Sequence, residues 1–274
     1  VADQVKFDTP AQFTPTTSNA SADTSNSATA DLTDSDPIAG VVAFMAPVTG
    51  DNKPGALVTD NPGLDAGFIK LVSIGDYVWY DRNRDGMQGA AADEPVAPGV
   101  TVKLLDAEGN PAVLPGGAPV TTVTDVNGFY SFTNLLAGET YVVEFVKPAD
   151  TVFTTPLAGD AAMDSNADVT TGKYTVTAPA DGANSATTPD DPTIDAGLIE
   201  LVSIGDYVWY DRNRDGQQGP VADEPVVAGV TVNLLDAEGN PAVLPGGAAV
   251  TTVTDVNGFY SFTDLLAGET YVVE

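Results

Sequence analysis

The 274 residues carry 39 Asp and Glu against 10 Lys and Arg, a formal net charge of −29, with 43% hydrophobic residues and neither Cys nor His. That apolar share is enough for packed cores, whereas the charge excludes nucleic acid and anionic membrane as partners, since both need basic residues against their phosphates. Without Cys or His there is no disulfide framework, thiolate site, Ser-His-Asp triad or ordinary zinc site, and only carboxylate-based catalysis stays open.

In chain order, Val1-Ala2-Asp3-Gln4 shows no positive region followed by an apolar stretch, so no leader peptide is expected. No apolar run reaches the roughly 18 residues that span a bilayer, so no membrane insertion is expected in this segment. Residues 16–36, TTSNASADTSNSATADLTDSD, are low in complexity and read as a long surface loop, or as a segment ordered only by bound ions; they include the sequon Asn19-Ala20-Ser21. NPGLDAGFIK (61–70) matches DPTIDAGLIE (191–200), and FDTPAQFTPTTS (7–18) resembles FVKPADTVFTTP (145–156). Residues 1–70 therefore read as the C-terminal part of a diverged repeat, 71–200 as a complete repeat and 201–274 as the N-terminal part of the next. The copies starting at Leu71 and Leu201 lie 130 residues apart and differ at eight positions, namely 87, 90, 91, 97, 98, 103, 119 and 134 of the first.

Short runs rich in Val, Thr, Tyr and Phe predict strands at 74–80, 100–105, 120–124, 129–132, 140–146, 173–177 and 193–199, each bounded by Gly, Pro, Asn or Asp. Apolar and polar residues alternate through Val100-Thr101-Val102-Lys103-Leu104, as in a strand with one buried face, and Asp125-Val126-Asn127-Gly128 has the chemistry of a hairpin turn. No stretch has a helical period. About seven strands per repeat predict tandem antiparallel β-sandwiches, an all-β fold. Only Glu200-Leu201-Val202 separate the last strand of one repeat from the first of the next, which favours rod-like stacking.

The strongest chemical motif is Asp81-Arg82-Asn83-Arg84-Asp85-Gly86-Met87, repeated at Asp211-Arg212-Asn213-Arg214-Asp215-Gly216-Gln217. Oxygen side chains at positions 1, 3 and 5, Gly at 6 and a backbone carbonyl at 7 match the first half of an EF-hand loop, which satisfies the calcium ion's need for six to eight oxygens. Position 12 is Ala92, a departure, and the missing acid is expected from Asp93 or Glu94, with Asp223 or Glu224 in the second copy. Predicted ligands are thus Asp81, Asn83, Asp85, Met87, Asp93 and Glu94, and Asp211, Asn213, Asp215, Gln217, Asp223 and Glu224. The bland alternative is an Asp-rich hairpin loop that binds nothing. Asp76 reads either as a ligand or as a strand-edge acid, Leu114-Pro115-Gly116-Gly117 as a turn, and Trp79 and Trp209 as core anchors.

GDYVWYDRNRDG, GVTVKLLDAEGN and TTVTDVNGFYSFTNLLAGETYVVEF together resemble the B repeat of the serine–aspartate-repeat surface adhesins of Gram-positive bacteria, relatives of the collagen-adhesin B domain. The resemblance covers nearly the whole chain. It implies immunoglobulin-like or prealbumin-like sandwiches joined end to end, dependent on Ca²⁺, in an extracellular stalk. It also implies further calcium sites at Asp164, Asn166 and Asp168, and at Asp34-Ser35-Asp36. A Lys–Asn isopeptide crosslink, possible in relatives, is not a general feature here, because Lys103 becomes Asn233.

Three functions follow for weighing. One is a calcium-rigidified stalk whose partners are neighbouring repeats of the same chain. Another is a filament or surface-layer subunit, with identical chains as partners and strand complementation as the joint. The third, a carbohydrate-binding or hydrolytic domain, needs paired acids outside the turns, and the sequence offers no such pair. No enzyme is expected.

Overall fold

The computed structural model describes residues 68–274, together with the backbone of three short strands before them. Asn19 and the Asp34-Ser35-Asp36 cluster lie outside the described residues. The strands are β1 (Asp3–Lys6), β2 (Phe13–Pro15), β3 (Val41–Phe44), β4 (Phe68–Ile74), β5 (Val78–Tyr80), β6 (Thr101–Leu105), β7 (Thr121–Val123) and β8 (Phe132–Leu136). They continue with β9 (Thr140–Val146), β10 (Thr151–Phe153), β11 (Lys173–Thr177), β12 (Ala196–Tyr207), β13 (Thr231–Leu235), β14 (Thr251–Val253), β15 (Phe259–Leu266) and β16 (Val272–Val273). The fold is all-β, as expected.

In the repeat beginning at Leu71, one antiparallel sheet has the order β11-β9-β6-β7. Facing it are β4 paired with β8, and β5 paired in parallel with the first half of β12, whose other edge carries β10. Alternation puts Val102 and Leu104 of β6, and Tyr141, Val143 and Phe145 of β9, into the space between the sheets. There they meet Val72, Ile74, Tyr130, Phe132, Leu135, Ile194 and Leu198. Tyr130 packs edge-on against Phe132 and Phe145, with centroids 5.9 and 5.5 Å apart, and its hydroxyl donates to the Ile194 carbonyl at 2.7 Å. Trp79 is fully buried.

Strands β9 and β11 have the expected bounds. The expected run 74–80 is instead cut in two, because Gly75 (φ 153°) passes so close to the neighbouring backbone that a Cβ would stand 2.3 Å from the Tyr130 carbonyl oxygen. β10, three residues long, was not expected, so the repeat has nine strand segments among the described residues rather than seven. The largest difference is at the junction. Rather than two strands with a linker, β12 runs unbroken through Glu200-Leu201-Val202; its residues 198–200 pair with β10 and 201–207 pair with β15.

The copy from 201 to 274 repeats the same register, down to a bulge after Val202 that matches the one after Val72. Its core is smaller: Val232, Leu234, Ala242, Leu244, Phe262 and Leu265. Val72 is fully buried whereas Val202 is 45% exposed, since residues 151–198 cover only the first copy. For the same reason Trp209 is half-buried, not the core anchor that Trp79 is. Leu114-Pro115-Gly116-Gly117 forms a tight turn, as read. Lys103 sits opposite Glu144 on β9, with 3.7 Å between charges.

Candidate metal centre

The loop after β5 folds on its own side chains. Asp81 accepts from the Arg84 amide (2.6 Å) on Oδ1 and from the Gly86 amide (2.9 Å) on Oδ2. Asn83 Oδ1 accepts from the Asp85 amide and Asp85 Oδ1 from the Met87 amide, both at 2.8 Å. These nested Asx turns reverse the chain through two left-handed residues, Arg84 (φ 62°) and Gly86 (φ 79°), and Asp-Arg-Asn-Arg-Asp-Gly supplies both the turn acceptors and the glycine. Glu94 then folds back, accepting from the Gly89 amide at 2.6 Å.

The result is a convergence of Asp81, Asp85 and Glu94, with one carboxylate oxygen of each within 4.8 Å of the others. Asp211, Asp215 and Glu224 form the same group in the second copy. Burial lifts the Glu94 carboxyl above its ordinary value and the charges of Asp81 and Asp85 add to the rise, against the pull of the Gly89 and Asn83 amides. Three carboxylates with no cation among them are an unfavourable arrangement that a hard divalent ion relieves; the donor set is all oxygen, which suits calcium.

Of the two acids offered for the last ligand, the structure brings Glu94 inward and leaves Asp93 exposed, its amide donating to the Ala90 carbonyl. Glu224 and Asp223 divide in the same way. Asn83 lies beside the group, its Nδ2 donating to Asp85 Oδ2 at 3.0 Å, as Asn213 does to Asp215. Met87 bridges to Asp164, and Gln217 is exposed. The two copies differ in cover: Asp81 is buried beneath Thr154, just after β10, whose hydroxyl donates to Oδ2, while Asp211 is exposed.

A second acidic group, deeper in the sandwich, is one the sequence did not reveal as a unit. Asp195 is fully buried; its Oδ1 accepts from the Tyr77 amide at 3.1 Å and its Oδ2 has no partner. Asp164 is buried too, with Oδ2 accepting from the Gly159 amide and Oδ1 unpartnered. Burial, and then the charges of Asp76, Asp164 and Asp191, hold the Asp195 carboxyl far above the usual range; burial and the Asp191 charge do the same to Asp76. Asn166 belongs here, its Oδ1 accepting from the Asp195 amide at 2.6 Å. Asp168 does not: it is exposed, and its Oδ1 accepts from the Thr170 and Thr171 amides to close its own turn. A signal was available in Ile194-Asp195-Ala196, an acid inside an apolar run that must enter the core.

Among the described residues no helix is long and apolar enough to cross a membrane. A family model described as the SdrD B-like domain matches residues 72–198 and again 202–274. Serine-aspartate repeat-containing protein F of Staphylococcus epidermidis is 35% identical over 273 residues, which are 98% of this chain and 14% of that protein. Serine-aspartate repeat-containing protein D of Staphylococcus aureus is 35% identical over 274 residues, 98% of this chain and 17% of that protein. The chain thus spans a small fraction of the curated relatives it matches. Among solved structures, a streptococcal ancillary pilin overlaps 74% of this chain and 52% of its own at 17% identity and a TM-score of 0.34. The shaft pilin spaA of Lactobacillus rhamnosus GG overlaps 75% and 86% at 12% identity and a TM-score of 0.28.

Proposed function

Because this chain belongs to the SdrD B-like domain family of Gram-positive surface proteins, we propose that it is a calcium-stabilised spacer in the stalk of an extracellular adhesin. One observation carries the reading: Asp81, Asp85 and Glu94 converge in an all-oxygen loop, and the second copy keeps the same three acids in the same arrangement. A loop that only had to turn would not need three converging carboxylates, each adding repulsion to a chain already at −29. Asp81, Asp85 and Glu94, with Asn83 beside them, would hold one ion. In the core, Asp195 and Asp76 relieve the cost of burial by holding protons, so their part is structural.

The division at 70/71 and 200/201 belongs to the same proposal: each repeat closes its sandwich with its own ion, and the strand that ends it begins the next. The stalk's function is reach and stiffness, not chemistry. The test is calorimetric titration of calcium into chelated protein, with thermal unfolding before and after. Saturable binding with a rise in melting temperature supports the stalk reading; a flat titration sinks it.

The other reading, a filament of identical chains joined by strand complementation, is tested by light scattering, since a filament grows with concentration and a stalk segment does not.

A further inference from the structure

We propose that the acidic loop of each repeat is also a latch onto the repeat that follows, so that calcium in the loop sets the stiffness of the junction. The contact is an ion pair between Arg84 Nη2, on the loop, and Glu269 Oε1, on the turn after β15 of the next copy, 185 residues away in sequence. Arg84 reaches it from a left-handed backbone conformation (φ 62°), and that conformation is held by Asp81 Oδ1 accepting from the Arg84 amide. The residue that aims the arginine is therefore one of the three converging acids. The Arg84 side chain is three-quarters buried and its Nη1 has no partner, so Glu269 compensates a real loss of hydration.

Around the pair, loop and turn face one another across a cleft of about 220 Å³, lined by Asp81 and Arg84 on one side and Ala267 and Gly268 on the other, with Ile199 and Glu200 of β12 as its floor. Arg82 lies 3.7 Å from Glu200 on the same floor. Only 10 basic residues serve the whole chain, and two of them stand in this one loop. Both halves of the latch recur at the 130-residue offset: Arg214 matches Arg84, and Glu139 matches Glu269. Each copy thus holds a donor on its loop and an acceptor on its opposite turn, as a head-to-tail series requires.

The inference rests on the reading of the loop as a calcium site. With the ion bound, the three acids stay together and Arg84 keeps its backbone conformation. Without it, their repulsion loosens the loop and Arg84 loses its aim. Linkage makes the effect reciprocal: whatever factor calcium contributes to docking, docking returns to calcium affinity.

The chain has no Cys, so Val126→Cys and Val256→Cys, at equivalent exposed turns of the two copies, give one spin label each. Pulsed dipolar spectroscopy on the 274-residue chain should give a narrow distance distribution in calcium and a broad one in chelator. Glu269→Gln, an exposed change outside the loop, should broaden the calcium distribution to the chelated width and weaken calcium binding about fivefold, the low end of ordinary couplings. The pair Arg84→Glu with Glu269→Arg should restore the narrow distribution. A Glu269→Gln chain as narrow as its parent in calcium overturns the latch and leaves the calcium site standing. A parent that binds calcium with no change in width overturns the coupling in the same way, and a parent that binds none removes both readings.

Discussion

The Thr154 hydroxyl donates to Asp81 Oδ2, tying the first acid of the loop to the residue that follows β10, across 73 residues of sequence. Asp211, the same acid one repeat on, is exposed and has only the bonds of its own turn. Thr154→Val should therefore weaken calcium binding at the loop of 81–94 about tenfold, the worth of one hydrogen bond to a charged group, and leave the loop of 211–224 as it was. Calorimetric titration of parent and variant checks this.

Calcium should raise the melting temperature by several degrees, since free ion at a hundredfold over its dissociation constant adds about 2.7 kcal/mol per site. Asp85 is exposed and makes no contact with the core, so Asp85→Ala should abolish the contribution of its own loop and leave Trp79 packed. In chelator the difference from the parent should be small, because the lost bonds to the Met87 amide and Asn83 Nδ2 are offset by removal of a repelling carboxylate. A loss in chelator as large as that in calcium would mean that Asp85 acts only as a turn acceptor.

Asp195 and Asp76 have folded-state carboxyl groups above their ordinary values, so the metal-free folded state holds protons that the unfolded chain releases. The sign follows: their contribution to stability is greatest below about pH 4 and is lost as pH rises through the raised values, about 7 for Asp76 and about 9 for Asp195. Asp195→Asn removes that loss. In chelator it should match the parent near pH 4 and exceed it at pH 8, by on the order of 2 kcal/mol. Unfolding curves in chelator at the two pH values are sufficient.

Gly197 on β12 packs where no side chain fits: a Cβ would lie 2.5 Å from Thr154 Cγ2 and 3.0 Å from the Trp79 ring. Gly197→Ala should cost about 1–3 kcal/mol by overpacking and should weaken calcium at the first loop as well, because it displaces Thr154. Denaturant unfolding in chelator isolates the packing cost from the metal effect.

Much of this was legible beforehand. Alternation and the bounding turn residues placed β6, β9 and β11 within a residue. The Asp-x-Asn-x-Asp-Gly spacing located the loop, because a local turn is written in contiguous residues. What stayed hidden depends on contacts between distant positions. Asp76 and Asp195 are 119 residues apart, and no spacing shows that they share a buried site. Glu94 and Asp93 are adjacent acids of equal chemical promise, and only the turn at 90–94 decides which faces inward. β10 is too short for periodicity to register, yet the threonine that holds Asp81 directly follows it.

The unbroken β12 bears on how such a chain carries tension. Its first half is hydrogen-bonded to β10 of one repeat and its second half to β15 of the next, both antiparallel. A force directed along this strand loads both ladders in shear, so that many hydrogen bonds resist at once rather than opening one by one. There is no slack peptide at the junction to be drawn out first. Under stretching, extension should come as discrete sandwich ruptures from a stiff baseline, and a Gly-Ser insert after Glu200 should add a soft regime before the first of them.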